Sequence, residues 1–226
     1  MYARYAIYYT PAPGSALADF GAGWLGWDSA AGAPVPHPAM GDLDVPSITA
    51  TPRKYGFHGT IKPPFRMADG QTPEALQAAL AALCTTAPAV TLDGLRLARL
   101  GKFLALVPDG DASALAHLAA RAVQELDSFR APPTEAELAK RRAAQLTPEQ
   151  DAYLVQWGYP YVLDAFRFHL TLSGRLEADV AADTEAALTG LLADLPLAPY
   201  QISGLTLLGE DADGRFHQLH RYALTG

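Results

Sequence analysis

Phe57-His58-Gly59-Thr60-Ile61-Lys62 has an echo later in the chain, Phe168-His169-Leu170-Thr171-Leu172-Ser173. Each places a threonine two residues after a histidine, among residues that favour strands. Successive side chains of a strand point to opposite faces. His58, Thr60 and Lys62 are therefore expected on one face, with Phe57, Gly59 and Ile61 on the other. In the second copy the same rule groups Arg167, His169, Thr171, Ser173 and Arg175 against Phe168, Leu170 and Leu172. One face of each strand would seat on a core. The other would offer a proton-transfer group, a hydroxyl and positive charge, a combination suited to a phosphate ester.

Working outward, the elements around the two copies repeat. Thr72-Pro73-Glu74 marks a helix start, with a capping threonine and proline at the first helical position. A hairpin over 89–107 follows that helix. After the second copy come a helix at 178–194 and a hairpin over 199–223. Gly94-Leu95-Arg96-Leu97 in the first hairpin matches Gly204-Leu205-Thr206-Leu207 in the second at nearly the offset that separates His58 from His169. Shared motif and shared element order at one offset point to duplication. The expected fold is α+β, with two lobes facing each other across a pseudo-two-fold. Each lobe is a small, mostly antiparallel sheet with helices on its outer face, and one His-Thr strand from each borders a groove. The two lobes together make one domain, 1–226, with a helical insertion at 130–164. Within it Thr134 and Thr147 open short helices, and Trp157, Tyr159 and Tyr161 precede the second motif.

Before the first copy, residues 2–9 read as an aromatic strand, and 15–27 as a helix weakened by Gly21, Gly23 and Gly26. Residues 28–52 show no period and read as a long loop, with His37 a surface histidine.

The 226 residues suffice for a sizeable core, and half of them are hydrophobic. The net charge of −7 without a basic run argues against extended nucleic-acid binding. A small phosphorylated substrate needs only a local basic pocket and is the expected partner. The single cysteine, Cys84, excludes an intrachain disulfide and reads as a small buried side chain. No signal-peptide pattern opens the sequence and no stretch is long and apolar enough for a membrane span, so a cytoplasmic location without membrane partners is the default. Nothing in the sequence sets the oligomeric state.

Two imidazoles flanking a phosphodiester can divide the proton transfers between them, because their ordinary pKa lies near neutrality. The residues leave open which is base and which is acid. The threonine hydroxyls can donate to non-bridging oxygens, and Lys62, Arg175 and Arg167 would add charge. No metal or cofactor is required. Asp164 is out of step with His169, so the motif strands offer no nearby carboxylate for a metal site. His217 and His220, read on a strand, point to opposite faces. No Gly-x-x-x-x-Gly-Lys-Ser/Thr phosphate loop occurs. A binding module for a phosphorylated metabolite or an RNA end is the alternative to an enzyme.

The paired motifs, His58-Gly59-Thr60-Ile61 and His169-Leu170-Thr171-Leu172, resemble the signature of the 2H phosphoesterase superfamily. The flanking residues 53–65 and 166–176 look like its bacterial branch associated with phosphonate-utilisation operons. The resemblance implies that His58 and His169 are catalytic and that Thr60 and Thr171 bind phosphate. It also implies a metal-independent cyclic phosphodiesterase acting on a small ribose- or nucleotide-like molecule. Ser173, Arg167, Tyr159 and Tyr161 are further candidates for substrate contact, and Lys62 and Arg175 for phosphate binding. Gly59 stands where alanine is commoner.

Overall fold

The computed structural model describes residues 2–226. Its strands are β1 (Arg4–Tyr9), β2 (Trp27–Asp28), β3 (Ala33–Pro34), β4 (Gly59–Phe65), β5 (Val90–Leu92), β6 (Gly94–Leu100), β7 (Phe103–Asp109), β8 (Leu170–Thr171), β9 (Tyr200–Ile202), β10 (Gly204–Glu210) and β11 (Phe216–Ala223). Its helices are α1 (Ala16–Leu25), α2 (Val45–Ile48), α3 (Ala50–Arg53), α4 (Pro73–Thr86), α5 (Ser113–Glu125), α6 (Glu135–Arg142), α7 (Pro148–Trp157) and α8 (Ala178–Leu192). The fold is α+β, and all its strand pairs are antiparallel.

Seven strands form a sheet in the order β11-β10-β1-β4-β8-β7-β6. The two motif strands are neighbours at its middle, joined by the single pair Gly59–Leu170. The two half-sheets thus meet edge to edge. The order also shows an exchange that sequence adjacency hides. The hairpin β6–β7 follows β4 in the chain but lies beside β8. The hairpin β10–β11 follows β8 but lies beside β1, which pairs with β4. The crossing segments β5 and β9 pair with each other, Thr91 opposite Gln201. The helices do not cross: α4 packs on β10 and β11, and α8 on β6 and β7.

Alternation along β1 separates the two faces of the sheet. Tyr5, Ile7 and Tyr9 join the main core with Leu76, Leu80, Leu115 and Leu188, while Ala6 and Tyr8 pack with Leu208 and Phe216 on the opposite face. Helix α1 forms despite its glycines. Ser15 caps its start, and it stops at Gly26, where the His37 ring covers the C-terminus and its Nδ1 lies 3.0 Å from the Trp24 carbonyl. His37 therefore serves the helix end. Cys84 is buried in α4, and burial pushes its thiol up to about 11.

Gly59 is required by the junction. A Cβ there would lie 2.3 and 2.4 Å from atoms of the Phe168 ring, which covers this residue from just before the neighbouring strand. Gly59→Ala is expected to cost about 1–3 kcal/mol by overpacking, and Phe168→Leu in the same chain to restore part of the loss. Urea unfolding of the two single variants and the double variant reads this. Full stability of Gly59→Ala alone would contradict the contact.

Candidate active site

The groove face of the sheet centre presents His58, Thr60 and Thr171 to a cavity of about 330 Å³, together with Arg4, Tyr8, Tyr55, Phe103, Arg141, Tyr159 and Arg175. A second cavity of about 220 Å³ holds His169, Arg167 and Tyr161. Thr60, Pro63 and Tyr159 line both, so the two cavities adjoin along these residues.

Both imidazoles are held in the same way. His58 Nδ1 lies 2.9 Å from the Gly56 carbonyl, and His169 Nδ1 lies 2.9 Å from the Arg167 carbonyl. A carbonyl only accepts, so each Nδ1 carries the hydrogen and each Nε2 is left for chemistry. Gly56 makes the first arrangement possible. Its φ of 70° closes the turn after α3, and a Cβ there would meet the Ser29 side chain at 2.6 Å. Tyr8 stacks on His58 with ring centroids 3.8 Å apart, and Phe103 lies against His169 at 5.7 Å. Thr60 Oγ1 is 3.3 Å from His58 Nε2. Burial pushes His58 down to about 4. The Gly56 hydrogen bond opposes this shift, and the proximity of His169 adds to it. His58 is therefore neutral at any pH above about 4, with an unprotonated Nε2.

Lys62 departs from the expected face. Ile7 pairs with Lys62 and Tyr8 with Thr60, so a bulge places one extra residue, Ile61, between them. The bulge resets the alternation and turns Lys62 to the side of Ile7, away from the groove. Its side chain is 1 % exposed, and its Nζ donates to the Val123 carbonyl at 2.9 Å in the last turn of α5 and to Asp127 at 3.4 Å. Burial lowers its pKa to about 8. Lys62 closes a helix end, where a cation is favoured, and lies outside both cavities.

Lys62→Met should therefore leave turnover of any substrate within about two-fold of wild type, with stability changed by no more than about 1–2 kcal/mol. The unfolded chain binds the Lys62 proton up to about pH 10.5 and the folded chain only to about 8, so wild-type stability should gain from this residue as pH rises through that window. Unfolding at pH 7 and pH 10 reads the gain, which Lys62→Met should lack. A large loss of turnover would return Lys62 to the groove.

Ser173 also leaves the expected pattern. Its hydroxyl accepts from Leu104 N and donates to the Gly174 carbonyl, while Leu172 N and Ser173 N both donate to the Leu104 carbonyl. The side chain replaces ladder bonds and ends β8 after two residues, so its hydroxyl is committed to the backbone although the residue borders the larger cavity. Arg167 donates to the Asp164 and Phe166 carbonyls. Tyr159 lines both cavities, with Tyr161 edge-on to it at 5.6 Å. The aromatic segment before the second motif is thus a wall of the groove. His217 turns away from the groove to Asp211, 2.7 Å distant.

Arg4, Tyr8, Tyr55, Phe103 and Arg141 were not indicated by the motifs. Arg4 is held by the Glu210 carboxylate through two hydrogen bonds. Tyr8 sits in a strand where nearly every residue is aromatic or aliphatic, so its face carries no sequence signal. Arg141 belongs to the Lys140-Arg141-Arg142 run, which reads as a solvated helix end.

Two curated relatives are similar along most of this chain. Both are named ribose 1,5-bisphosphate phosphokinase PhnN. That of Janthinobacterium sp. (strain Marseille) is 40% identical over 218 residues, 93% of this chain and 48% of the relative. That of Laribacter hongkongensis (strain HLHK9) is 33% identical over 228 residues, 96% of this chain and 51% of the relative. The chain thus spans about half the length of the curated relatives it matches. Among solved structures, E. coli LigT in apo form aligns with a TM-score of 0.45 and 16% identity, covering 100% of this chain and 99% of that one. LigT complexed with 3'-AMP aligns with a TM-score of 0.44 and 17% identity, covering 100% of both chains. The family model described as a protein of unknown function, DUF1045, matches residues 60–217, from the threonine of the first motif through the whole of the second, and the chain belongs to that family.

Proposed function

We propose that the groove is the active site of a metal-independent phosphoesterase that opens a cyclic phosphodiester on a small ribose- or nucleotide-like molecule. The observation that carries the proposal is the matched pair of histidines. Each is fixed through Nδ1 to the carbonyl two residues earlier, and each is followed two residues on by a threonine lining the groove.

In the proposed reaction His58, neutral above about pH 4, takes a proton from the attacking water at Nε2. The water oxygen bonds to phosphorus as one ring P–O bond breaks. The departing oxygen receives a proton from Nε2 of protonated His169, and a phosphomonoester results. Thr60 and Thr171 donate to the non-bridging oxygens as negative charge gathers there. Among the described residues no three His, Cys, Asp or Glu side chains gather as a metal-binding group. The two-histidine scheme asks for none.

The substrate class rests on the family resemblance of the motifs and its association with phosphonate utilisation. The relatives' name, which refers to a ribose bisphosphate, is consistent with a ribose phosphate. That name refers to proteins of which this chain spans about half. The sequence has no phosphate loop of the kind that cradles a nucleotide triphosphate, so hydrolysis is the reading preferred here over phosphorylation.

The test is a panel of ribose and nucleoside cyclic phosphates incubated in EDTA, with release of the monoester followed by phosphorus NMR. Turnover of at least one member in the chelator is expected. Tight binding across the panel without turnover would instead indicate a module that only holds phosphorylated ligands.

A further inference from the structure

One cation of the larger cavity, Arg141, has no assigned task, and a second, Arg175, was indicated by the sequence as a phosphate ligand. Arg141, in the last turn of α6, and Arg175, beyond the second motif strand, both line the space that His58, Thr60 and Thr171 line. Among the described residues neither makes an ion pair, whereas Arg4 in the same cavity is neutralised by Glu210. Arg141 lies over the Tyr159 ring at 4.7 Å. Stacking uses the flat face of a guanidinium and leaves its N–H edge free for an anion. With the motif threonines assigned to the reacting phosphate, a pair of arginines can serve a second anion.

We infer that Arg141 and Arg175 form a second anion subsite, and that the preferred substrate is a cyclic phosphodiester bearing a further phosphate on the same sugar. This deepens the proposed function and rests on it for the reacting phosphate. The cavity of about 330 Å³ falls in the range of small-ligand sites, with room for one sugar and its phosphates. Planar two-pronged donors suit a terminal phosphate dianion. Because Arg141 sits on α6, the insertion that carries it would set selectivity rather than chemistry.

The experiment compares matched cyclic phosphates that differ only in a second phosphate, nucleoside 2',3'-cyclic phosphates with and without a 5'-phosphate and the corresponding ribose 1,2-cyclic phosphates. The doubly phosphorylated member is expected to show kcat/KM at least about ten-fold higher. Arg141→Met/Arg175→Met should abolish that preference, and Arg141→Met alone should lower it while leaving the singly phosphorylated member within about three-fold. Both side chains are at the surface, and an unchanged melting temperature will verify the fold of the variant. A second arm titrates ribose 5-phosphate and ribose 1,5-bisphosphate calorimetrically. The bisphosphate should bind at least about ten-fold more tightly to wild type, and the ratio should fall to about two in the double variant. Equal kcat/KM for the matched substrates, or a ratio that survives the double substitution, overturns the subsite even where hydrolysis is observed. An affinity ratio that collapses in the double variant upholds it even where no cyclic phosphate is hydrolysed, in which case the proposed reaction is what fails.

Discussion

Replacing His58 or His169 by alanine is expected to lower kcat by about 10²–10⁴-fold, the usual contribution of a positioned acid or base. In the proposed reaction the two histidines act in one step, so the double variant should be little worse than the poorer single one. Truncating His58 also removes a ring stacked on Tyr8. His58→Asn keeps more of that contact and should be as inactive as His58→Ala. The pH dependence of kcat/KM supplies a readout that packing alone would not move. Its acid limb should fall near 4, where His58 protonates, and not near the ordinary histidine value of 6.5. Stability provides a second one. Between pH 6.5 and about 4 the unfolded chain binds a proton at His58 that the folded chain refuses, so this residue's contribution is present above 6.5 and is lost as pH falls through that window. The slope is about 1.4 kcal/mol per pH unit, and His58→Asn should remove it. Variants that retain wild-type turnover, or an acid limb unmoved from 6.5, would contradict the role assigned to His58.

Thr60→Val and Thr171→Val should each lower kcat by about 10²–10³-fold, the effect of removing one preorganised donor to a developing oxyanion. Valine keeps the branched shape that suits a strand, so the substitution isolates the hydroxyl. Thr60 Oγ1 lies 3.3 Å from His58 Nε2, so its loss should also disturb the imidazole, whereas Thr171 has no such partner among the described residues. Serine at either position restores a hydroxyl and should recover most of the activity. Threonines that merely fill strand positions would give the reverse pattern, with valine tolerated and serine destabilising. Steady-state kinetics with unfolding curves separates the two.

The paired motifs, helix starts and hairpins were legible because each rests on local pattern: strand alternation, capping threonines, and proline at a first helical turn. What escaped the sequence arose from relations between distant segments. Lys62 belongs to the polar face by strict alternation, yet a bulge whose register is set by pairing with β1 sends it to the end of α5. Ser173 was expected beside Thr171, but its hydroxyl is drawn to the β7 backbone at Leu104. The exchange of hairpins between half-sheets leaves no trace in element order, since both arrangements place a hairpin after each motif. Tyr159 and Arg141 reach the groove only because the insertion folds back over it. The histidines and threonines stand out in the sequence because they are repeated. The arginines and aromatics around them are not repeated, and their role depends on tertiary placement.

In the proposed reaction two histidines, without a metal, add water across one P–O bond of a cyclic phosphodiester. The most direct measurement incubates the protein with a cyclic ribose phosphate in ¹⁸O-labelled water and EDTA, then records the phosphorus spectrum of the product. A ring-opened phosphomonoester carrying a single ¹⁸O on phosphorus is expected, formed at the same rate with and without chelator, and at least about 10²-fold more slowly with His58→Asn or His169→Asn. Turnover that stops in EDTA and returns with a divalent ion, or an unchanged cyclic phosphate at every enzyme concentration, would contradict it.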